Sequence, residues 1–277
     1  MTFSPLTDLT RLCLHTVTTK PWTIEEAAEN YSRNGVKGIT VWRDTLFGRN
    51  IRDTGNMLRN LGLSVVSLCR GGFFANTDPL KRKKAVEDNR RAIGEAFELG
   101  TDKIILVCGA DPAQPLEVSR RQIFEGISSV LEDAGSAKIK LAIEPLHPMY
   151  ADTRSAINSI AQANDLVELL NSEWVGVAVD VYHLWWDPAL EKEIERGGRN
   201  RSLLAFHISD WKTPTHDMLN DRGLMGEGCI PVRKIRSWME NAGFKGFIEV
   251  EIFSDIYWRM DQSEFLRKII SAYKEFA

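Results

Sequence analysis

This chain is poor in most features that mark secretion, membranes or redox work. Its 277 residues include only four cysteines, Cys13, Cys69, Cys108 and Cys229, with no CxxC pair. A disulfide framework is therefore not expected. Reduced thiols, the first three in buried strands, fit a cytoplasmic protein. The N-terminal MTFSPLTDLTR has no basic stretch followed by an apolar one, so no signal peptide is expected. No apolar run approaches the roughly 20 residues of a membrane helix. The net charge is only −3 and the pI about 6.0. That excludes the basic footprint of a nucleic-acid binder, whose domain pI usually exceeds about 9. No GxGxxG follows the first strand, and no GxxxxGKS/T phosphate loop occurs. No Pro/Gly/Ser-rich linker, repeat or low-complexity tract divides the chain.

What remains is a regular alternation. With 43% hydrophobic and 26% charged residues, the composition is that of a soluble globular protein. Short β-branched runs read as strands at Arg11–Thr16, Gly38–Trp42, Ser64–Cys69, Lys103–Cys108, Lys140–Glu144, Val175–Asp180, Leu203–Ser209 and Phe247–Ile252. Helical periodicity fills the gaps at Ile24–Asn34, Ile51–Leu61, Pro79–Leu99, Leu116–Ala134, Ser155–Leu170, Pro188–Glu195, Pro231–Ala242 and Ser263–Phe276. Eight strand–helix units predict a parallel sheet closed into a (β/α)8 TIM barrel, with residues 1–277 as a single domain. An open doubly wound sheet is the alternative.

Four acid or imidazole residues end the last four strands: Glu144, Asp180, His207 and Glu251. Such groups are costly at the ends of buried strands without a partner. They lie 36, 27 and 44 residues apart, each close to one β/α unit. In a barrel they converge over the mouth, where three carboxylates and an imidazole suit a divalent cation. Side-chain alternation points Asp180, His207 and Glu251 inward. Glu249 is placed a layer deeper than Glu251, with Arg11 as a candidate partner. His15, Trp42, Arg43 and Arg70 close the first three strands, where substrate groups would sit. His147 and Asp210 lie just past Glu144 and His207. Trp185, Trp186, Trp211, Tyr257 and Trp258 crowd the mouth loops. They suit the apolar faces of a sugar or aglycone, and equally a homo-oligomer interface.

The segments Ala142–Tyr150 (AIEPLHPMY), Val175–Pro188 (VGVAVDVYHLWWDP), Ala205–Trp211 (AFHISDW), Gly226–Ile230 (GEGCI) and Ile248–Ser254 (IEVEIFS) resemble the xylose isomerase-like TIM-barrel superfamily, in its sugar phosphate isomerase/epimerase group. The resemblance implies that Glu144, Asp180, His207 and Glu251 ligate one divalent metal ion: manganese, magnesium, cobalt or zinc. It implies that Glu144 and Glu251 are also the catalytic acid/base pair, and that His183 binds the sugar oxygens. The implied reaction is isomerisation or epimerisation of a small-molecule sugar or glycoside by proton transfer next to a carbonyl, through a metal-stabilised enediolate. His147, Arg70, His15, Asp210 and Trp211 complete the candidate substrate-binding set. One departure is visible: ketose 3-epimerases carry a glutamate six residues after the first ligand, where this chain has Tyr150. That counts against a free ketohexose and raises a second reading, a lyase or hydratase acting on 3-keto-glycosides with the same site. A non-catalytic sugar-binding barrel is a third. Phosphodiester hydrolysis, known on this fold with several metals and many histidines, is disfavoured by five histidines and the acidic pI. No nucleic-acid or membrane partner is expected.

Overall fold

The computed structural model describes residues 6–277; residues 1–5, the start of the stretch expected to lack a signal peptide, lie outside the described residues. The strands are β1 Leu12–His15, β2 Gly38–Trp42, β3 Ser64–Gly72, β4 Lys103–Val107, β5 Lys140–Ile143, β6 Val175–Asp180, β7 Leu203–Ile208, β8 Asp210–Trp211, β9 Arg222–Gly223 and β10 Ile248–Val250. The helices are α1 Ile24–Arg33, α2 Ile51–Asn60, α3 Pro79–Leu99, α4 Leu116–Ser128, α5 Leu131–Ala137, α6 Ile160–Leu170, α7 Val181–Leu184, α8 Leu190–Arg199, α9 Val232–Asn241 and α10 Gln262–Phe276. Eight strands close a parallel barrel in the order β1-β10-β7-β6-β5-β4-β3-β2, so the open-sheet alternative falls away. The two-residue strands β8 and β9 form a separate antiparallel hairpin.

Local signals explain the helix starts. Thr23 and Glu26 form a reciprocal capping box at α1. Asp78 accepts from the Leu80 N–H ahead of Pro79 at α3. Gly100 ends α3 at φ 82°, a left-handed conformation that glycine adopts without strain. Two predicted helices are altered. The stretch from Leu116 breaks after Ser128 and restarts at Leu131. The stretch from Ser155 becomes helical only at Ile160, because the Ala156 N–H bonds the Gly109 carbonyl and Ser159 supplies the cap. Among the described residues, no helix is long and apolar enough to cross a membrane.

The strand alternation predicts which side chains enter the barrel. Val175, Val177, Val179, Phe206 and Ile208 join the large core between strands and helices. Ala142, Ala178 and Ala205 point inward with Cys69 and Ile105. Each alanine lies two residues before a candidate ligand, Glu144, Asp180 or His207. These small side chains therefore form the layer beneath the ligands.

Candidate functional site

Strand register sets two of the four candidate ligands side by side. Asp180 on β6 pairs with His207 on β7, and His207 pairs with Glu249 on β10. Glu144 and Glu251 follow directly on β5 and β10. Their backbone N–H groups bond Leu106 and Ile208 carbonyls, each 3.1 Å, so both continue the ladder. All four side chains are buried. One donor atom from each lies within 4.8 Å of all the others. Donors about 2.0–2.4 Å from a shared cation must lie within roughly 4–5 Å of one another, so the spacing fits. Three carboxylates and one imidazole also match the donors that manganese, magnesium, cobalt or zinc accept. A second set, His15, His207 and Glu251, meets the same spacing.

The quartet is embedded in hydrogen bonds. His207 Nδ1 and Glu144 Oε1 are 2.8 Å apart. Asp180 Oδ1 accepts from the Tyr182 N–H at 2.8 Å, which leaves Oδ2 to face the mouth. There it meets Arg222, a fully buried arginine that the sequence reading did not single out. Arg222 Nη1 donates to Asp180 Oδ2 at 3.2 Å and to Glu251 Oε2 at 2.8 Å. Arg222 Nη2 lies 3.2 Å from His183 Nε2. Its guanidinium stacks 4.4 Å from the centroid of Tyr182 and 5.0 Å from that of Phe253.

One layer below sits Glu249. Arg11, the candidate partner suggested by its place on the first strand, does not reach it. Arg11 precedes β1 and turns outward, bonding Glu240 at 2.7 Å and the Gly246 carbonyl at 2.8 Å. Glu249 Oε2 instead accepts from Thr40 at 2.5 Å and Ser67 at 3.1 Å, inward residues of β2 and β3. His15 Nε2 is 3.4 Å away and His207 Nε2 3.8 Å. His15 also reaches Glu251, with Nδ1 3.0 Å from Oε1. Two imidazoles thus join the lower carboxylate to the two upper glutamates, His15 to Glu251 and His207 to Glu144.

These contacts set the charge states. Burial pushes the Asp180 carboxyl up to about 7; Arg222 opposes the rise, and the Glu251 and Glu144 charges add to it. Burial also disfavours the Glu251 carboxylate, but His15 and Arg222 outweigh it and hold Glu251 well below the usual range. Glu249 is held at about 2 against its burial by His15 and His207. Burial disfavours protonated His15, but Glu251 and Glu249 raise it well above the ordinary histidine value. Burial and Arg222 together depress His183, which stays neutral.

Above the quartet opens a cavity at the barrel mouth. Glu144, Glu251, Arg222 and His183 form its polar floor, and Trp42, Leu146, Tyr150 and Phe253 its walls. Of the predicted substrate contacts, His183 and Arg70 line this cavity. His15 lies beneath it. His147 and Trp211 belong to an aromatic cluster behind it: their ring centroids are 5.1 Å apart, and Trp211 stacks on Tyr182 at 4.8 Å. Asp210 is turned away. Its carboxylate accepts from the N–H groups of Trp211, Gly226 and Ile230 and so ties down the loop after β7. Arg43 directs its guanidinium to Asp88 and Glu95, on α3. Tyr150 Oη donates to the Met218 carbonyl at 2.5 Å, and Tyr182 Oη donates to the same oxygen at 3.2 Å. Leu219, the next residue, also lines the cavity, so the segment between β8 and β9 covers it.

Comparison with known proteins agrees with this architecture. The chain is 42% identical to a Sinorhizobium meliloti 1021 protein of solved crystal structure, with a TM-score of 0.94 over 98% of this chain and 99% of that one. The crystal structure of an IOLI protein with a binding zinc atom shares the fold at 18% identity and a TM-score of 0.84, covering 95% and 96% of the two chains. The inosose isomerase of Bacillus licheniformis is 22% identical over 202 residues, 70% of this chain and 69% of that protein. The model of the xylose isomerase-like TIM barrel family matches residues 28–269, and the chain belongs to that family.

Proposed function

We propose that the chain, as one domain, is a divalent-metal-dependent sugar isomerase or epimerase. The observation that carries this reading is the convergence of Glu144, Asp180, His207 and Glu251 within 4.8 Å, with Glu144 and Glu251 lining the cavity at the barrel mouth. The likeness to an inosose isomerase supports the substrate class. When bound, the cation supplies Lewis-acid polarisation of a sugar carbonyl. Asp180 and His207 serve as ligands alone. Glu144 and Glu251 serve as ligands and as the proton-transfer pair, facing each other across the mouth from β5 and β10. Glu251, held ionised by His15 and Arg222, is in the state needed to accept a proton. His183, neutral and bonded to Arg222, presents an imidazole to substrate oxygens. Arg70 contacts substrate from the cavity wall. His15 orients Glu251 from below, and His147 and Trp211 shape the mouth. The three buried thiols suit a reducing cytoplasm. Phe47 and Ile256, 92% and 59% exposed on loops of the mouth side, are candidates for a homo-oligomer contact.

The test is metal analysis of the purified protein together with turnover in heavy water. Stoichiometric divalent metal and carbon-bound deuterium in a sugar product are expected. Absence of bound metal after reconstitution would falsify the reading. The same site also suits a lyase or hydratase on 3-keto-glycosides. One observation favours that version: Tyr150 stands where ketose 3-epimerases carry glutamate, and its hydroxyl is engaged by the Met218 carbonyl. Release of an aglycone in the same assay selects it.

A further inference from the structure

Two arginines of the cavity have no anionic partner. Arg70 lies near the end of β3, and Arg154 lies between β5 and α6; both line the cavity and both are half-buried. Among the described residues, neither guanidinium makes an ion pair within 4.0 Å or a hydrogen bond. Each rests on an aromatic face instead. Arg70 is 4.3 Å from the Phe73 centroid, and Arg154 is 5.5 Å from that of Tyr150. Three other arginines that are half-buried or buried have carboxylate partners. Arg43 pairs with Asp88 and Glu95, Arg196 with Asp165, Glu168 and Glu193, and Arg222 with Asp180 and Glu251.

The two charges also act on each other. Burial and the Arg154 charge lower the Arg70 pKa, while Glu144 and Asp44 oppose this only from beyond ion-pair distance. A guanidinium carries its charge at any physiological pH. The cavity therefore carries charge of both signs: the carboxylates of Glu144 and Glu251, already engaged by His207, His15 and Arg222, and two unpaired guanidinium groups, Arg70 near the end of β3 and Arg154 between β5 and α6. A guanidinium fork matches a carboxylate or phosphate in bidentate geometry. An anion bound there would relieve the repulsion of the two cations, and the acid cluster would repel the same anion from the floor.

We propose that Arg70 and Arg154 form an oxyanion subsite for a carboxylate or phosphate carried by the substrate at the end remote from its reacting carbonyl. The inference rests on the sugar reading and narrows it to an acidic keto sugar, either a sugar phosphate or a keto-sugar acid.

Calorimetric titration of the metal-loaded protein with inorganic phosphate and with acetate tests the subsite without turnover. Kinetics on a neutral keto sugar, its terminal phosphate and the matching keto acid test its role. Arg70→Gln, Arg154→Gln and the double variant are compared with the wild type, with metal content and Tm as checks on folding. At least one anion is expected to bind the wild type, and each single variant to weaken it about tenfold or more. The kcat/KM preference for the anionic substrate over the neutral one is expected to fall about a hundredfold or more in the double variant. A stronger response to phosphate assigns a sugar phosphate, and a stronger response to acetate a keto acid. Turnover of the neutral sugar with no anion preference, and anion binding unchanged in the double variant, overturns the subsite but leaves the isomerase reading standing. Anion binding lost in the double variant, with no turnover of any keto sugar, supports the subsite and removes the isomerase reading.

Discussion

The two halves of the barrel mouth are built differently. At the ends of strands β5, β6, β7 and β10 stand Glu144, Asp180, His207 and Glu251, side chains that converge within 4.8 Å of one another. Strands β1 to β4 end without a carboxylate. They contribute His15 and Thr40 below the quartet, Trp42 as a wall, and Arg70 as a long cation. Groups that must converge within a few ångströms come from rigid strand ends, where the backbone ladder fixes them. Groups that face the rest of the cavity come from long side chains and loops, where reach matters more than placement. Arg222 belongs to neither half. It enters from the β8–β9 hairpin and neutralises part of the acidic half.

The largest break in this contrast is predicted for the two glutamates. Glu144→Gln or Glu251→Gln is expected to lower kcat about 10²–10⁴-fold, measured with metal restored to full occupancy. Arg222→Met removes the cation between Asp180 and Glu251. In metal-free protein it is expected to cost about 3–5 kcal/mol in urea denaturation, and added divalent metal should recover much of that. If the metal-free variant is as stable as the wild type, the acidic half does not depend on Arg222. Glu249→Gln keeps the shape of the lower layer but removes its charge beneath His207 and His15. Divalent-metal affinity should fall about 10–100-fold in a competition titration.

Metal affinity should also depend on pH. Asp180 has its free-protein pKa raised to about 7, so below pH 7 a proton must leave before the carboxylate can ligate. Affinity is therefore expected to fall as pH drops below 7, by up to about tenfold per unit from this group alone. The smallest effect is expected at Tyr150→Phe, which removes one hydrogen bond to the covering segment, worth about 1 kcal/mol. Faster amide exchange over residues 216–219 with unchanged metal binding would place Tyr150 on the cavity side of the contrast. Loss of metal would move it to the ligand side.

The acidic half was legible because period-two alternation and unit spacing both act on strands. Asp180, His207 and Glu251 follow from parity, and β2 and β6 match their predicted spans to the residue. Arg222 was not legible. It lies in the polar stretch Asn220-Asp221-Arg222-Gly223, and a strand of two residues carries no periodicity. Arg154 escaped for the same reason, within Asp152-Thr153-Arg154-Ser155 before α6. Asp210 looked like a mouth residue from its place after β7, but backbone N–H groups of the following loop capture its carboxylate. Loop donors of that kind leave no mark in a sequence. Arg11 misled because it adjoins β1 in sequence but precedes its first residue, at the end of the barrel away from Glu249.

The Tyr150 and Tyr182 hydroxyls meet on the carbonyl oxygen of Met218, an atom that every amino acid supplies. The Met218 side chain itself is 59% exposed. The identity of residue 218 is therefore uncoupled from the position of the segment it holds. Substitutions there can redraw the outer surface of the cover without releasing it. Changes at either tyrosine act on the tether itself. Variation among homologues should accordingly concentrate at 218 and spare 150 and 182, so that the mouth can be re-tuned by drift while its geometry persists.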